Sequence, residues 1–144
     1  MRLIILTTIA FLASFQYTFS QDIQSEVYKG KMDGKTPLTL YVQSYENECT
    51  TDIMYDGMYK YNGKSEWLQL NITSNYNSQF VLVEYGFTGV LILKKGANGF
   101  DGIWISPDSK KQLPVNFQKV EIPSDKMETI QNEFEEVNYV NHDC

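Results

Sequence analysis

Few residues of this 144-residue chain belong to the types that usually perform chemistry. His142 is its one histidine, and Cys49 and Cys144 are its two cysteines. A Ser-His-Asp or Cys-His arrangement needs a histidine held beside the nucleophile, and a structural zinc site needs four ligands, mostly Cys and His. Acids are plentiful enough for a hydrolytic carboxylate pair, but no local pattern singles one out. We therefore expect no enzyme activity, no metal site and no cofactor.

Glu84 is the charged residue whose position is most suggestive. It alternates with Phe80 and Leu82 along an apolar segment, so all three side chains share one strand face. If that face is the interior, the carboxylate must be hydrogen-bonded, and it could orient a ligand. The alternative is that the odd-numbered residues of the segment face inward and Glu84 faces solvent.

Aromatic side chains supply the other candidate binding residues. Tyr59 lies on a strand face with two further tyrosines, and Trp104 shares a face with Phe100. Large rings with a polar tip suit the lining of a ligand pocket, although they also fill barrel cores. Tyr41 and Tyr45 fall on the polar face of their strand. We expect them to be exposed and to contact a protein partner, with ordinary strand propensity as the alternative.

The segments that must position these residues have the period of β-strands. Alternating or continuously apolar runs are separated by turn signals such as Asp33-Gly34 and Asn62-Gly63. The predicted strands are Glu26–Met32, Leu38–Gln43, Thr51–Tyr61, Trp67–Thr73, Gln79–Tyr85, Phe87–Lys95, Gly99–Ser106 and Leu113–Ile122. The pattern predicts an all-β, antiparallel meander of about eight strands that forms a closed or nearly closed barrel over residues 21–122. A two-sheet sandwich is the alternative.

The chain changes character after Pro123. Ser124 can cap a short helix, in which apolar residues recur at steps of three and four: Met127, Ile130, Phe134 and Val137. We expect this stripe to lie on the barrel or across one mouth. Residues 122–144 carry six acids and one lysine, whereas residues 21–121 carry 12 acids and 10 bases. The net charge of −6 thus resides mainly in an acidic tail, 123–144, and argues against binding to nucleic acid.

The first 20 residues have the pattern of a secretory signal peptide. Arg2 precedes an apolar run, Leu3–Phe15, and a small residue, Ser20, comes before the predicted cleavage site. We therefore expect export to the periplasm or the exterior, with no transmembrane segment in the mature chain. In such an oxidising compartment Cys49 and Cys144 can form a disulfide, with free thiols or an intermolecular bridge as alternatives.

Several short motifs resemble those of small exported β proteins of Gram-negative bacteria. They are Tyr28-x-Gly30, Pro37-Leu-Thr-Leu40, Asp56-Gly-Met-Tyr-Lys-Tyr61, Leu82-x-Glu84, Thr88-Gly89, Gly102-Ile-Trp104 and Leu113-Pro-Val-Asn-Phe117. The resemblance covers about residues 28–120 and implies a lipocalin-like or avidin-like barrel, in a group whose members mostly lack a known activity. It implies no particular ligand.

Together these features predict an exported, non-enzymatic binding protein. The first hypothesis is a protein partner, such as a basic secreted enzyme that the chain inhibits in the manner of an inhibitor or immunity protein. The alternative is a carrier of a small hydrophobic ligand in a barrel pocket, with Glu84, Tyr59 and Trp104 as candidate ligand-binding residues. A cavity of about 300 Å³ or more would favour the carrier.

Overall fold

A computed structural model describes residues 22–142, which form eight antiparallel strands followed by one helix. The strands are β1 (Gln24–Met32), β2 (Thr36–Glu46), β3 (Ile53–Tyr61), β4 (Leu68–Ser74), β5 (Gln79–Glu84), β6 (Val90–Lys95), β7 (Gly99–Ile105) and β8 (Gln112–Val120), and the helix is α1 (Ser124–His142). Each strand pairs with the next, and β1 also pairs with β8, so the barrel is closed. The predicted fold class is confirmed, because closure removes the sheet edges that a sandwich would leave.

Several strand ends differ from the sequence-based prediction. β2 continues to Glu46, and β3 begins at Ile53, because Thr51 has a φ of 59° and belongs to the intervening turn. β6 begins at Val90 rather than at Phe87. Gly86 and Phe87 both have positive φ, 76° and 55°, so the chain reverses at these two residues.

The inward-facing side chains of all eight strands form the apolar core of the barrel. These buried residues are Tyr28, Met32, Leu38, Leu40, Val42, Tyr59, Leu70, Phe80, Leu82, Leu91, Leu93, Phe100, Val115 and Phe117. Phe80 links the aromatic part of this core, since its ring meets the rings of Tyr55 and Phe100 edge to face at centroid distances of 5.1 and 5.3 Å. The alternation predicted from the sequence thus correctly separates the two faces of the strands.

α1 lies on the outer wall of the barrel and buries a second apolar cluster. The predicted stripe faces the wall: Phe134 is buried and Met127, Ile130 and Val137 pack around it. The covered barrel residues are Val27, Tyr41, Met58 and Trp67. At 19 residues the helix is longer than the short one predicted, and by its rise per residue it spans about 28 Å.

The position of α1 corrects the expectation that Tyr41 is exposed. Tyr41 does point away from the barrel interior, but the helix covers it completely, and its exposed fraction is 0%. Its ring lies 5.6 Å from the ring of Phe134, and its hydroxyl bonds with Ser25 and Gln43. A residue on the polar face of a strand is exposed only where no other element packs on that face.

The connections between strands lie at two ends of the barrel. One end, which we call the cavity end, contains residues 47–52, 75–78 and 96–98 together with the start of β1 and the end of β8. The other end, which we call the Glu84 end, contains residues 33–35, 62–67, 85–89 and 106–111. α1 runs between them, from Ser124 at the cavity end to Asn141 at the Glu84 end, where Asn141 bonds with Gln69.

Two sequence-based predictions lie outside the described residues. The signal peptide, 1–20, is one of them, and the Cys49–Cys144 disulfide is the other, since it depends on Cys144. Within 22–142, Cys49 is an exposed free thiol in the β2–β3 connection. No helix in the described part of the chain is both long enough and apolar enough to cross a membrane.

Candidate functional site

The Glu84 carboxylate is the centre of a buried hydrogen-bond network inside the barrel. Glu84 is only 3% exposed, which settles the strand-face question in favour of the interior. Its Oε1 accepts hydrogen bonds from the Tyr59 hydroxyl at 2.5 Å and from Trp104 Nε1 at 2.6 Å. Its Oε2 accepts one from Thr88 Oγ1 at 2.6 Å. Both oxygens are satisfied, as a buried carboxylate requires.

The network depends on a glycine beside it. A Cβ atom added to Gly89 would lie 2.4 Å from Trp104 Nε1 and 2.6 Å from Glu84 Oε1. No carbon atom fits at those distances, so a side chain at this position would separate the indole from the carboxylate. The glycine permits Trp104 and Glu84 to meet directly.

Burial raises the pKa of Tyr59 well above its usual value of 10.0, and the hydrogen bond to Glu84 raises it further. The phenol therefore stays protonated and remains a donor to the carboxylate. The structure thus brings together the three residues predicted to bind a ligand, namely Glu84, Tyr59 and Trp104. Their polar groups bind one another, and their role toward a ligand stays a prediction.

A cavity of about 910 Å³ opens at the opposite end of the barrel. Its floor is formed by the inward-facing Val42, Tyr55 and Phe100, and its polar side wall by Ser44 and other strand-end residues. The remaining lining residues are Asp22, Gln24, Glu26, Tyr45, Glu46, Asn47, Glu48, Thr51, Ile53 and Lys95. The cavity lies within the size range of small-molecule sites and combines an apolar floor with polar walls, as such sites do.

Glu26 anchors the polar side of this cavity. Its carboxylate accepts hydrogen bonds from Lys119 Nζ and from the Tyr28 hydroxyl, each at 2.6 Å, and Lys95 Nζ lies 3.9 Å away. Burial alone would raise the pKa of Glu26, but the hydrogen bonds and the two lysine charges outweigh it and hold the pKa below the usual 4.5. Glu26 is therefore a carboxylate at neutral pH. It has acceptor capacity beyond these two bonds.

Lys95 offers a donor to the same cavity. Its side chain is 42% exposed, and its amino group lies 5.9 Å from the ring of Phe100. A ligand whose apolar body rests on Phe100 and Tyr55 would therefore meet a donor at Lys95 and an acceptor at Glu26. The cavity therefore combines an apolar floor with one donor and one acceptor at its wall.

The tyrosines predicted to contact a partner have different environments. Tyr41 lies beneath α1, as described above. Tyr45 is half-buried at the cavity wall, where burial and a hydrogen bond to Asp56 raise its pKa. Tyr45 shares the outward-facing side of β2 with Tyr41, and its role toward a partner stays a prediction. Tyr41 is not accessible to any partner while the helix is in place.

Sequence reasoning missed the cavity residues, although the signal was present. Alternation in β1 places Glu26 on the same face as Tyr28, and alternation in β6 places Lys95 on the same face as Leu93. Charged residues at inward-facing positions near strand ends mark the polar rim of a barrel mouth. One predicted strand began at Glu26 and another ended at Lys95, but which strand ends meet at one mouth depends on how the barrel closes.

No group of His, Cys, Asp and Glu side chains within 22–142 is arranged to hold a metal ion. The fold and the cavity define the class of structure: a closed, eight-stranded, up-and-down antiparallel barrel with a cup at one end, compatible with a lipocalin-like fold. Comparison with protein-family models, with curated proteins and with solved structures finds no match to this chain.

Proposed function

We propose that this protein is an exported, non-enzymatic barrel that binds a small, largely apolar ligand in the cavity beside Glu26 and Lys95. The observation that carries the proposal is the 910 Å³ cavity with an aromatic floor. Closed eight-stranded barrels have an interior just wide enough to be filled by side chains or to hold one small ligand, and the cavity favours the second. Of the two functions expected from the sequence, this one corresponds to the carrier. The apolar run near the N-terminus and the resemblance to small exported barrels support export.

The ligand chemistry follows from the lining. Tyr55 and Phe100 present ring surfaces, and Val42 adds an aliphatic one, so the inner part of the ligand is apolar. The outer part meets Lys95 and Glu26, which supply one donor and one acceptor at the wall. Burial of apolar surface contributes the affinity, and the polar pair fixes the orientation of the ligand.

A fluorescence titration with N-phenyl-1-naphthylamine, a neutral apolar probe, tests the proposal. We expect saturable binding to the wild-type protein and weaker binding to Ser44→Trp, because the indole occupies part of the cavity beside its apolar floor. Gln118→Trp is the matched control, since Gln118 is exposed on the outer face of β8 and the variant adds the same ring outside the barrel. The proposal is overturned if the probe does not bind, or if folded Ser44→Trp binds it as well as Gln118→Trp does.

A basic protein partner is the second candidate function. Its support is the solvent side of α1, where four acids are exposed: Asp125, Glu128, Glu135 and Glu136. A surface with this charge attracts a cationic partner and raises its association rate. Lysozyme and a panel of basic secreted enzymes serve as probes. A complex that weakens with salt and in Glu128→Gln/Glu135→Gln supports this function, and the absence of any salt-sensitive complex removes it.

A further inference from the structure

The outer face of β5, β6 and β7 carries a continuous apolar surface, which we call the apolar wall. Six aliphatic side chains form it in two rows of cross-strand partners: Val81, Ile92 and Ile103 in one row, and Val83, Val90 and Ile105 in the other. These positions alternate with the inward-facing core residues of the same strands, so all six point away from the barrel interior. Val81 is 39% exposed and Ile92 is 42% exposed.

An exposed phenylalanine extends the apolar wall at the Glu84 end. Phe87 lies in the β5–β6 turn and is 57% exposed. Its φ of 55° is an uncommon conformation for a bulky residue, so a small or polar residue would suit the turn better. With Phe87 the wall exposes roughly 400 Å², in the range of the largest apolar patches on monomers, which often have a function.

We propose that the apolar wall is the interface through which two copies of this chain form a symmetric dimer. The distribution of charge favours a second copy on this wall. The chain carries a net charge of −6, and α1 presents acids on the opposite side of the barrel. Two copies therefore repel each other in most relative orientations. The six residues of the wall carry no charge. Its border has one charge of each sign, from Lys94 and Asp101.

The register of β6 and β7 makes this surface complementary to itself. Ile92 is the cross-strand partner of Ile103, and Lys94 is the partner of Asp101. A two-fold axis that runs between these strands and parallel to them places Ile92 of one copy on Ile103 of the other. The same axis places Val90 opposite Ile105 and Lys94 opposite Asp101, so the apolar residues and the charges of β6 meet their counterparts on β7. Val81 and Val83 of β5 lie further from the axis and face Pro114 and Gln112 of β8 in the other copy. Aligned packing of two sheets has this general geometry.

The area sets the expected strength of the dimer. Two copies of the wall with their polar borders bury about 1,000 Å², which is at the low end for specific interfaces. The dimer is therefore weak and concentration-dependent, with a dissociation constant on the order of micromolar or above. The cavity mouth opens at the end of the barrel, not on the wall, so both copies keep an accessible cavity.

Sedimentation velocity of the purified protein, from about 1 μM to about 500 μM, tests the dimer against the micromolar scale. We expect the weight-average mass to rise from one chain toward two chains over this range. Ile92→Glu places a charge in the centre of the interface and should keep the protein monomeric. Asn132→Glu is the matched control, because it adds the same charge at an exposed position of α1 and should leave most of the dimer intact.

A charge exchange provides the second arm of the test. Lys94→Asp alone should weaken the dimer at least severalfold, and Lys94→Asp/Asp101→Lys should restore it, because the opposite charges still meet across the axis. A wild-type protein that stays monomeric at about 500 μM overturns the proposal and leaves the wall to another occupant, such as a different protein or a lipid surface. Dimerisation that Ile92→Glu leaves unchanged also overturns it.

Discussion

The hydroxyl of Tyr59 lies 2.5 Å from Oε1 of Glu84, and this bond joins strands β3 and β5 across the interior of the barrel. Trp104 lies on β7, and its Nε1 donates a hydrogen bond to the same oxygen at 2.6 Å. Hydrogen bonds to a charged acceptor are short and strong. The three side chains fasten three strands at the Glu84 end, where the barrel is filled. The cavity lies at the other end, so one end of the barrel is filled and joined by hydrogen bonds and the other is open.

Replacement of Glu84 should destabilise the barrel more than any surface change. Glu84→Leu removes the acceptor of the buried Tyr59 hydroxyl and of the partly buried Trp104 indole nitrogen, which costs roughly 2–5 kcal/mol of unfolding free energy. Urea unfolding followed by circular dichroism measures the loss. Glu66→Leu is the control, because Glu66 is exposed and its replacement should change stability by no more than about 0.5 kcal/mol. Equal effects of the two variants would contradict the role assigned to the network.

The helix α1 is expected to be an integral part of the fold rather than a detachable tail. Phe134→Ala empties a buried site between the helix and Tyr41, and we expect it to cost about 3–5 kcal/mol. Tyr139→Ala on the same helix should change little, since Tyr139 is 67% exposed. Thermal unfolding of both variants checks this pair. If the Phe134→Ala protein is as stable as the Tyr139→Ala protein, the packing of Phe134 against the barrel does not contribute to stability.

Phe87 should show opposite effects on stability and on self-association. Phe87→Asn relieves the positive φ of a bulky residue and should stabilise the monomer by about 1 kcal/mol. The same change removes an exposed ring at the edge of the apolar wall and should weaken the dimer. Chemical unfolding at low protein concentration and sedimentation at high concentration measure the two effects separately. A variant that loses stability and dimerises normally would show that Phe87 serves the turn alone.

The stabilisation from Glu26 should depend on pH in a defined direction. Because the pKa of Glu26 in the folded protein lies below the usual 4.5, its contribution is fully present above that value. It is lost as the pH falls through the lower, folded value. Glu26→Gln should therefore be less stable than the wild-type protein at about pH 7, and the difference should be smaller at about pH 3.

The matched control for this pH comparison is Glu66→Gln, which alters an exposed carboxylate in the β3–β4 connection. Its unfolding free energy should follow that of the wild-type protein at both pH values. A stability gap for Glu26→Gln that stays constant with pH would contradict the ion pair with Lys119 as its source.

Sequence periodicity predicted the eight strands, their inward faces and the helical stripe, because each of these depends on local alternation. It placed Glu84 with Phe80 and Leu82 and left the choice of face open, and burial in the barrel decides that choice. It could not show that α1 covers Tyr41, since that depends on which wall the helix packs against. It also could not locate the cavity, because Glu26, Tyr55 and Lys95 meet only when β1, β3 and β6 are closed into a barrel.

A map of backbone amide shifts during titration with N-phenyl-1-naphthylamine tests the central claim most directly. Ligand binding at the cavity end predicts saturable shifts at Ser44, Tyr55 and Phe100, with one probe bound per chain. The amides of Glu84 and Ile103 should stay unchanged, since they lie at the Glu84 end and on the apolar wall. Shifts that centre on Ile103, or shifts that never saturate, would contradict a ligand site in the cavity.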